Sequence, residues 1–296
     1  MEHVDLLVIG GGAAGMAAAV SASKTGRRVM LCEKDERLGG ILNQCIHSGF
    51  GRSVLGKDCT GVEYAAENSA RVRASDVRVR TGTTVLSLSP ERTAVLSGRD
   101  GLQRVSFERC LLAAGCRERT PWSLPIAGTR PAGVFTAGTA QRLENIDDLK
   151  VGSRIVILGS GDVGQIMARQ FAQTEREVVA VVEQMDHVGG LPRNRRECLE
   201  AYNIPVLLRS TVDEILGTGR VRAVMVRDLD TGERREYECD TLVTALGLIP
   251  DRTLCRDLSE NGALPGWLRL CGNCESVHDI VDSVSREAEI LGAELW

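Results

Sequence analysis

An excess of basic charge is missing from this chain: 36 lysines and arginines stand against 40 acidic residues, a formal net charge of -4. Arg and Glu are scattered rather than blocked, so no basic face recommends nucleic acid or an anionic membrane. Neither a secretory leader nor a membrane span is expected, because the apolar N-terminus carries Glu2 and Asp5 and is broken by Gly10, Gly11 and Gly12. The ten cysteines sit at irregular spacings with no second pair at zinc-ligand separation, which argues against a disulfide scaffold and against a metal centre. Reduced thiols in a cytoplasmic setting, with no bound metal, are the resulting expectations.

With 296 residues and 43% hydrophobic composition, the chain can bury large cores in roughly two domains. Residues 4–9 read as a buried strand that runs into Gly10-Gly11-Gly12-Ala13-Ala14-Gly15 and then a helix. In this G-x-G-x-x-G pattern Gly10 permits a tight turn, Gly12 lets the backbone approach a pyrophosphate, and Gly15 lets helix and strand pack closely. Glu33 follows at the end of a second apolar run (residues 28–32), placed to accept both hydroxyls of a ribose. Thr60 and Glu63 form a capping box that opens a helix through about Ala74. From 76 to 107 the texture becomes a small β-meander, with runs at 77–80, 83–88 and 102–107, and it returns into a buried strand ending at Ala114-Gly115.

The pattern then restarts. Residues 154–158 lead into Gly159-Ser160-Gly161-Asp162-Val163-Gly164, and residues 178–183 form a strand closed by Glu183. Gly189-Gly190 repeats the position of Gly39-Gly40 to within one residue, and a second meander (206–208, 212–216, 221–227, 234–238) ends on a buried strand and Gly247. Agreement in all these features predicts two dinucleotide-binding domains. The fold class is therefore α/β, two Rossmann-like three-layer domains each with a β-meander, the second inserted in the first. The boundaries are 1–117 with 251–296 for the first domain and 118–250 for the second. The tail predicts a turn at Gly272-Asn273 and a helix from about Ser276, with Val277, Ile280, Val281, Val284, Ala288 and Leu291 on one face.

These residues resemble the two-domain flavoproteins of the pyridine nucleotide-disulfide oxidoreductase superfamily in its short, thioredoxin-reductase-like form. The resemblance implies that the first cradle binds FAD, through Gly10, Gly12, Ala13, Ala14, Gly15, Glu33, Lys34, Gly39, Gly40, Ala114, Gly115, Gly272, Asn273 and His278. It implies that the second binds a nicotinamide dinucleotide, through Gly159, Gly161, Asp162, Val163, Gly164, Glu183 and Gly247. A narrower likeness lies in residues 115–119 and 127–141. They are similar to the FAD/NAD subunits of hydrogen cyanide synthase, opine and sarcosine oxidases and multi-subunit proline dehydrogenases. Residues 40–47 are similar to flavoproteins found beside anaerobic glycerol-3-phosphate dehydrogenases.

The implied activity is that of an FAD-dependent NAD(P)H oxidoreductase, in which a hydride moves between NADH and flavin N5 and electrons pass to an acceptor. The alternative is an electron-transfer subunit of a multi-subunit dehydrogenase with little activity alone; a partner dehydrogenase subunit or a second copy of the chain would then assemble with it. NADH is expected ahead of NADPH, since Glu183 would repel a 2′-phosphate and no arginine lies between Gln184 and Gly190. Arg193, Arg195 and Arg196 follow and could fold back. Cys45 and His47 are the catalytic candidates, a thiol carried toward the flavin with a base two residues on, against the ordinary reading of a buried cysteine and a hydrogen-bonded loop histidine. Cys271 and Cys274 form a C-x-x-C that coincides with the flavin-contact turn, and His278 either faces the isoalloxazine or caps the last helix. For Arg117, Glu118 and Arg119 the plain reading is an exposed ion-pair cluster.

Overall fold

The computed structural model describes residues 1–259 and 262–295. Glu260, Asn261 and Trp296, all within the expected 251–296 span, lie outside the described residues. The chain divides into two units, residues 1–117 with 249–296 and residues 118–248, so Ile249 and Pro250 belong to the first.

In the first unit seven strands form one sheet, in the order Arg78–Arg80, Val29–Cys32, Glu2–Ile9, Gly101–Leu112, Thr93–Gly98 and Thr84–Leu88, with Leu268–Leu270 also against Gly101–Leu112. Glu2–Ile9 is parallel to both of its neighbours, and Leu7 stands opposite Met30 on one side and Cys110 on the other. Because both faces are covered, the strand is apolar at every position from Leu6 to Ile9 rather than alternating. Leu6, Val8, Leu31 and Leu111 pack against Ala17, Ala18 and Ala22 of the Ala13–Ser23 helix and against Val284 and Ala288 of the Val281–Glu294 helix. Leu7, Met30, Leu96, Phe107 and Leu112 fill the opposite face. Each fully buried side chain of this size contributes about 1.5–3 kcal/mol of hydrophobic stabilisation. Strand Gly101–Leu112 serves both the antiparallel meander and the parallel sheet.

The capping box is present: Glu63 N donates to Thr60 Oγ1 at 3.2 Å and Thr60 N to Glu63 Oε2 at 2.8 Å, opening the Gly61–Arg73 helix. Two expectations need correction. Thr93–Gly98 is a meander strand absent from the expected set, paired to Thr84–Leu88 through a tight turn in which Ser89 N donates to Thr93 O. The last helix begins at Val281, not near Ser276, and Val277 and Ile280 are exposed ahead of it. The cause is local: Asn273 Oδ1 accepts the His278 amide at 3.0 Å, and Ser276 N closes onto Gly272 O, holding residues 272–278 as a turn.

The second unit has a five-stranded parallel sheet in the order Val134–Thr136, Thr241–Thr244, Arg154–Leu158, Glu177–Val182 and Val206–Leu207. A four-stranded sheet (Ala127–Gly128, Ser210–Gly217, Val221–Asp228, Arg234–Glu238) completes it. Ile155, Ile157, Val181 and Val243 pack on Met167, Ala168 and Phe171 of the Asp162–Gln173 helix. Among the described residues no helix is long and apolar enough to cross a membrane.

Candidate functional site

Each unit carries one glycine cradle at the carboxyl end of its parallel strands, and the two are built alike. Gly10 and Gly159 share a φ of 102°, a conformation that side-chain-bearing residues avoid. A Cβ on Gly15 would lie 1.8 Å from Gly10 O, and one on Gly164 would lie 2.6 Å from Gly159 O. Gly12 and Gly161 are the N-caps of their helices; neither has a capping side chain, and a Cβ on either would meet nothing within 4 Å. Each turn is therefore tight on its protein side and open above free helix amides, the surface that receives a pyrophosphate.

The acids complete the cradles. Glu33 is buried; its Oε2 accepts from Gly11 N at 2.7 Å and its Oε1 from Asp35 N at 2.8 Å. Glu183 is buried in the matching place, with Oε1 accepting from Met185 N at 2.9 Å and Oε2 from Ser160 N at 2.9 Å and Ser160 Oγ at 2.6 Å. Both carboxylates keep acceptor capacity for a ribose. An open turn, uncapped amides and a fixed acceptor fit a dinucleotide in both units.

Around the first cradle, Gly39 N donates to Gly11 O at 2.8 Å, and a Cβ on Gly40 would stand 3.2 Å from Gly12 Cα. A Cβ on Gly272 would stand 2.8 Å from Ala14 Cβ, so the late turn packs directly onto the first helix. Gly10, Gly12, Ala13, Ala14, Gly15, Glu33, Gly39, Gly40 and Gly272 thus form one neighbourhood. Lys34 points its ammonium at Asp35, 3.1 Å away. Asn273 spends its Oδ1 on the His278 amide and directs Nδ2 at Cys116 Sγ, 3.8 Å away. His278 precedes the last helix rather than capping it; its Nε2 pairs with Glu287 Oε2 at 2.8 Å, and its Nδ1 is buried with no hydrogen-bond partner among the described residues.

Around the second cradle, Asp162 Oδ1 accepts from Leu191 N and Asn194 Nδ2, both at 2.7 Å, which ties the segment after Gly190 to the helix start. Val163 packs on the core, and Gly247 O accepts from Arg119 N at 2.9 Å. Arg193 pairs with Glu197 at 3.3 Å and Arg195 with Glu200 at 2.8 Å rather than with Glu183.

The catalytic candidates fare differently. Cys45 is buried, its Sγ lies 3.4 Å from Ile41 O, and burial pushes the thiol up to about 12. Burial of this kind disfavours the thiolate, the form in which a cysteine attacks, and matches the environment that the buried-cysteine reading describes. The reason is packing: a Cβ on Gly61 would lie 2.5 Å from Cys45 Cβ, which shows how closely the Gly61–Arg73 helix covers it. His47 Nδ1 lies 3.0 Å from Ser48 O and its ring lies 5.1 Å from Phe50, a hydrogen-bonded loop histidine. Cys271 and Cys274 are buried too; desolvation pushes Cys271 up to about 12, and Cys274 Sγ donates to Leu112 O at 2.9 Å.

Sequence reasoning assigned no role to Ser160 and misread Glu118. Ser160 occupies the second position of its motif, where its hydroxyl also accepts from Gly189 N at 2.8 Å. Glu118 is no surface ion pair: it accepts from Thr136 Oγ1 and, at 2.7 Å, from Gly138 N, capping the Ala137–Asn145 helix. The signal was present in Thr136-Ala137-Gly138, a hydroxyl ahead of a small-residue helix start. Among the described residues His3, Asp5 and Glu108 offer three ligand atoms within 4.8 Å of one another, but Arg28 holds Asp5 through Nη2 and its backbone amide, both at 2.8 Å.

Known proteins resemble this chain in sequence and in fold. The family described as pyridine nucleotide-disulphide oxidoreductase matches residues 4–264. Hydrogen cyanide synthase subunit HcnB of Pseudomonas protegens is 32% identical over 184 residues, covering 60% of this chain and 38% of that protein. Sarcosine oxidase subunit alpha of a Corynebacterium species is 29% identical over 272 residues, covering 84% of this chain and 26% of that protein. The chain thus spans well under half the length of these relatives. The thioredoxin reductase of T. acidophilum superposes with a TM-score of 0.78 at 22% identity, covering 99% of this chain and 98% of that one, a likeness of fold.

Proposed function

Since the chain belongs to the pyridine nucleotide-disulphide oxidoreductase family, a family of flavoprotein oxidoreductases, we propose that it is an NADH-dependent FAD enzyme whose first unit holds the flavin and whose second holds the nicotinamide dinucleotide. The observation that carries this reading is the repeated cradle, a glycine turn at φ 102° facing a buried glutamate, once in each unit.

In the first unit Gly12 and the amides beginning the Ala13–Ser23 helix hold the pyrophosphate, Glu33 accepts from the ribose, and Gly272 with Asn273 brings the late turn to the same cradle. Bound FAD supplies the hydride-accepting centre. In the second unit Gly161 and its helix amides hold the other pyrophosphate, and Glu183 accepts from the adenosine ribose. A 2′-phosphate beside Glu183 costs about 1 kcal/mol at 4 Å in water and about 4 kcal/mol at an effective dielectric of 20. The engagement of Arg193 and Arg195 with Glu197 and Glu200 supports the same preference.

A second reading, an electron-transfer subunit with little turnover alone, is favoured by the relatives, two of which are subunits of larger oxidases or synthases. Anaerobic titration of the purified protein separates the readings. NADH is expected to bleach the flavin band faster than NADPH by at least roughly tenfold, the rate equivalent of about 1.4 kcal/mol. Equal rates overturn the Glu183 argument, and failure to retain flavin overturns the proposal. Fast bleaching without turnover on small acceptors selects the subunit reading.

A further inference from the structure

Around their carboxylates the two cradles differ by one donor, the Ser160 hydroxyl. Glu33 receives one hydrogen bond on each carboxylate oxygen, both from backbone amides. Glu183 receives three: one on Oε1, and two on Oε2 from the amide and hydroxyl of Ser160. A carboxylate offers about four acceptor positions, two on each oxygen. Glu33 therefore keeps one open position on each oxygen, a bidentate match to a vicinal diol. Glu183 has its Oε2 filled and keeps one position on Oε1.

The Ser160 hydroxyl is fixed in this role. Ser160 is fully buried, so no water takes its place. Its oxygen accepts from Gly189 N at 2.8 Å while its single proton goes to Glu183, so rotation away would break both bonds. The first cradle has glycine at the matching position, so Glu33 receives no hydroxyl there, and a Cβ on Gly11 would press on Leu38 Cδ2 at 2.5 Å.

We propose that Ser160 is a specificity-determining positioning residue: by filling Glu183 Oε2 it leaves the second cradle able to read one hydroxyl of the adenosine ribose, where the first reads two. This rests on the assignment of the second cradle to a nicotinamide dinucleotide. It gives a physical reason for one fold to retain one dinucleotide and exchange another, since the exchanged one lacks a charge-assisted hydrogen bond.

The test is isothermal titration of the intact protein with NAD+ and with NAD+ whose adenosine ribose is 2′-deoxy or 3′-deoxy. One deoxy analogue is expected to bind within about twofold of NAD+ and the other to weaken by roughly tenfold or more, the usual value of a hydrogen bond to a charged group. In Ser160→Gly both analogues are expected to weaken together, so that their ratio falls toward one. Ser160→Ala, which keeps the first side-chain carbon, is expected to do the same. A merely structural role would scale all three ligands alike and leave the ratio unchanged, which overturns the inference. Equal losses in the wild type overturn it while leaving the second cradle assigned. No binding of NAD+ at all removes the assignment and the inference together.

Discussion

At Cys45 reactivity is decided by surroundings rather than by residue type. Its thiol is held near 12 because burial disfavours the charged form, and a thiolate fraction that small removes most of its nucleophilicity at neutral pH. Iodoacetamide at pH 8 is accordingly expected to label Cys45 at least roughly 100-fold more slowly in the native protein than in urea, with mass spectrometry of the labelled peptide as the readout. Rapid native labelling would reinstate the thiol as a nucleophile. Glu33 and Glu183 were readable in advance because strand, turn and acid lie at fixed separations along the chain. Cys45 was not, since its environment is made by Gly61, which arrives from a different element.

At the scale of single elements, the Gly61–Arg73 helix depends on a reciprocal cap made within four residues. Thr60→Ala removes the acceptor for Glu63 N and should destabilise the first unit by about 1 kcal/mol, visible as a lower urea midpoint at unchanged slope. Loss of less than a few tenths of a kcal/mol would mean the helix is held by packing alone. That cap was legible because both partners sit three residues apart. The start of the last helix was not, because the helical periodicity of Val277 and Ile280 competes with the Asn273 side chain, which captures the His278 amide and keeps the backbone in a turn. Glu118 illustrates the same limit across a longer separation: nothing local to residues 117–119 announces a helix beginning at Ala137.

Over the whole molecule, buried thiols give the fold an alkaline response. Cys32, Cys45, Cys239 and Cys271 are each pushed up to about 12 by burial, whereas an unfolded thiol titrates near ~8.5. The folded state then binds more protons than the unfolded state above that value, so stability is fully present below pH ~8.5 and falls as pH rises toward the folded pKa. Each thiol contributes a slope of up to about 1.4 kcal/mol per pH unit in that window. Under reducing conditions the urea midpoint should drop steeply between pH 8 and 10, and a flat profile would contradict the burial of these groups. The architecture was readable from the repeat itself, whereas the burial of individual thiols required the packed sheets. The chain leaves the first unit after Arg117 and re-enters it at Ile249. Arg119 N donates to Gly247 O at 2.9 Å within the second, and Asp251 N donates to Gly115 O at 3.0 Å within the first. Gly115 and Asp251 are thus hydrogen-bonded partners within the first unit, so closing the long intervening segment adds little loop entropy to that unit's own folding. The first unit's architecture is in this sense indifferent to the length of what its chain carries between those two residues.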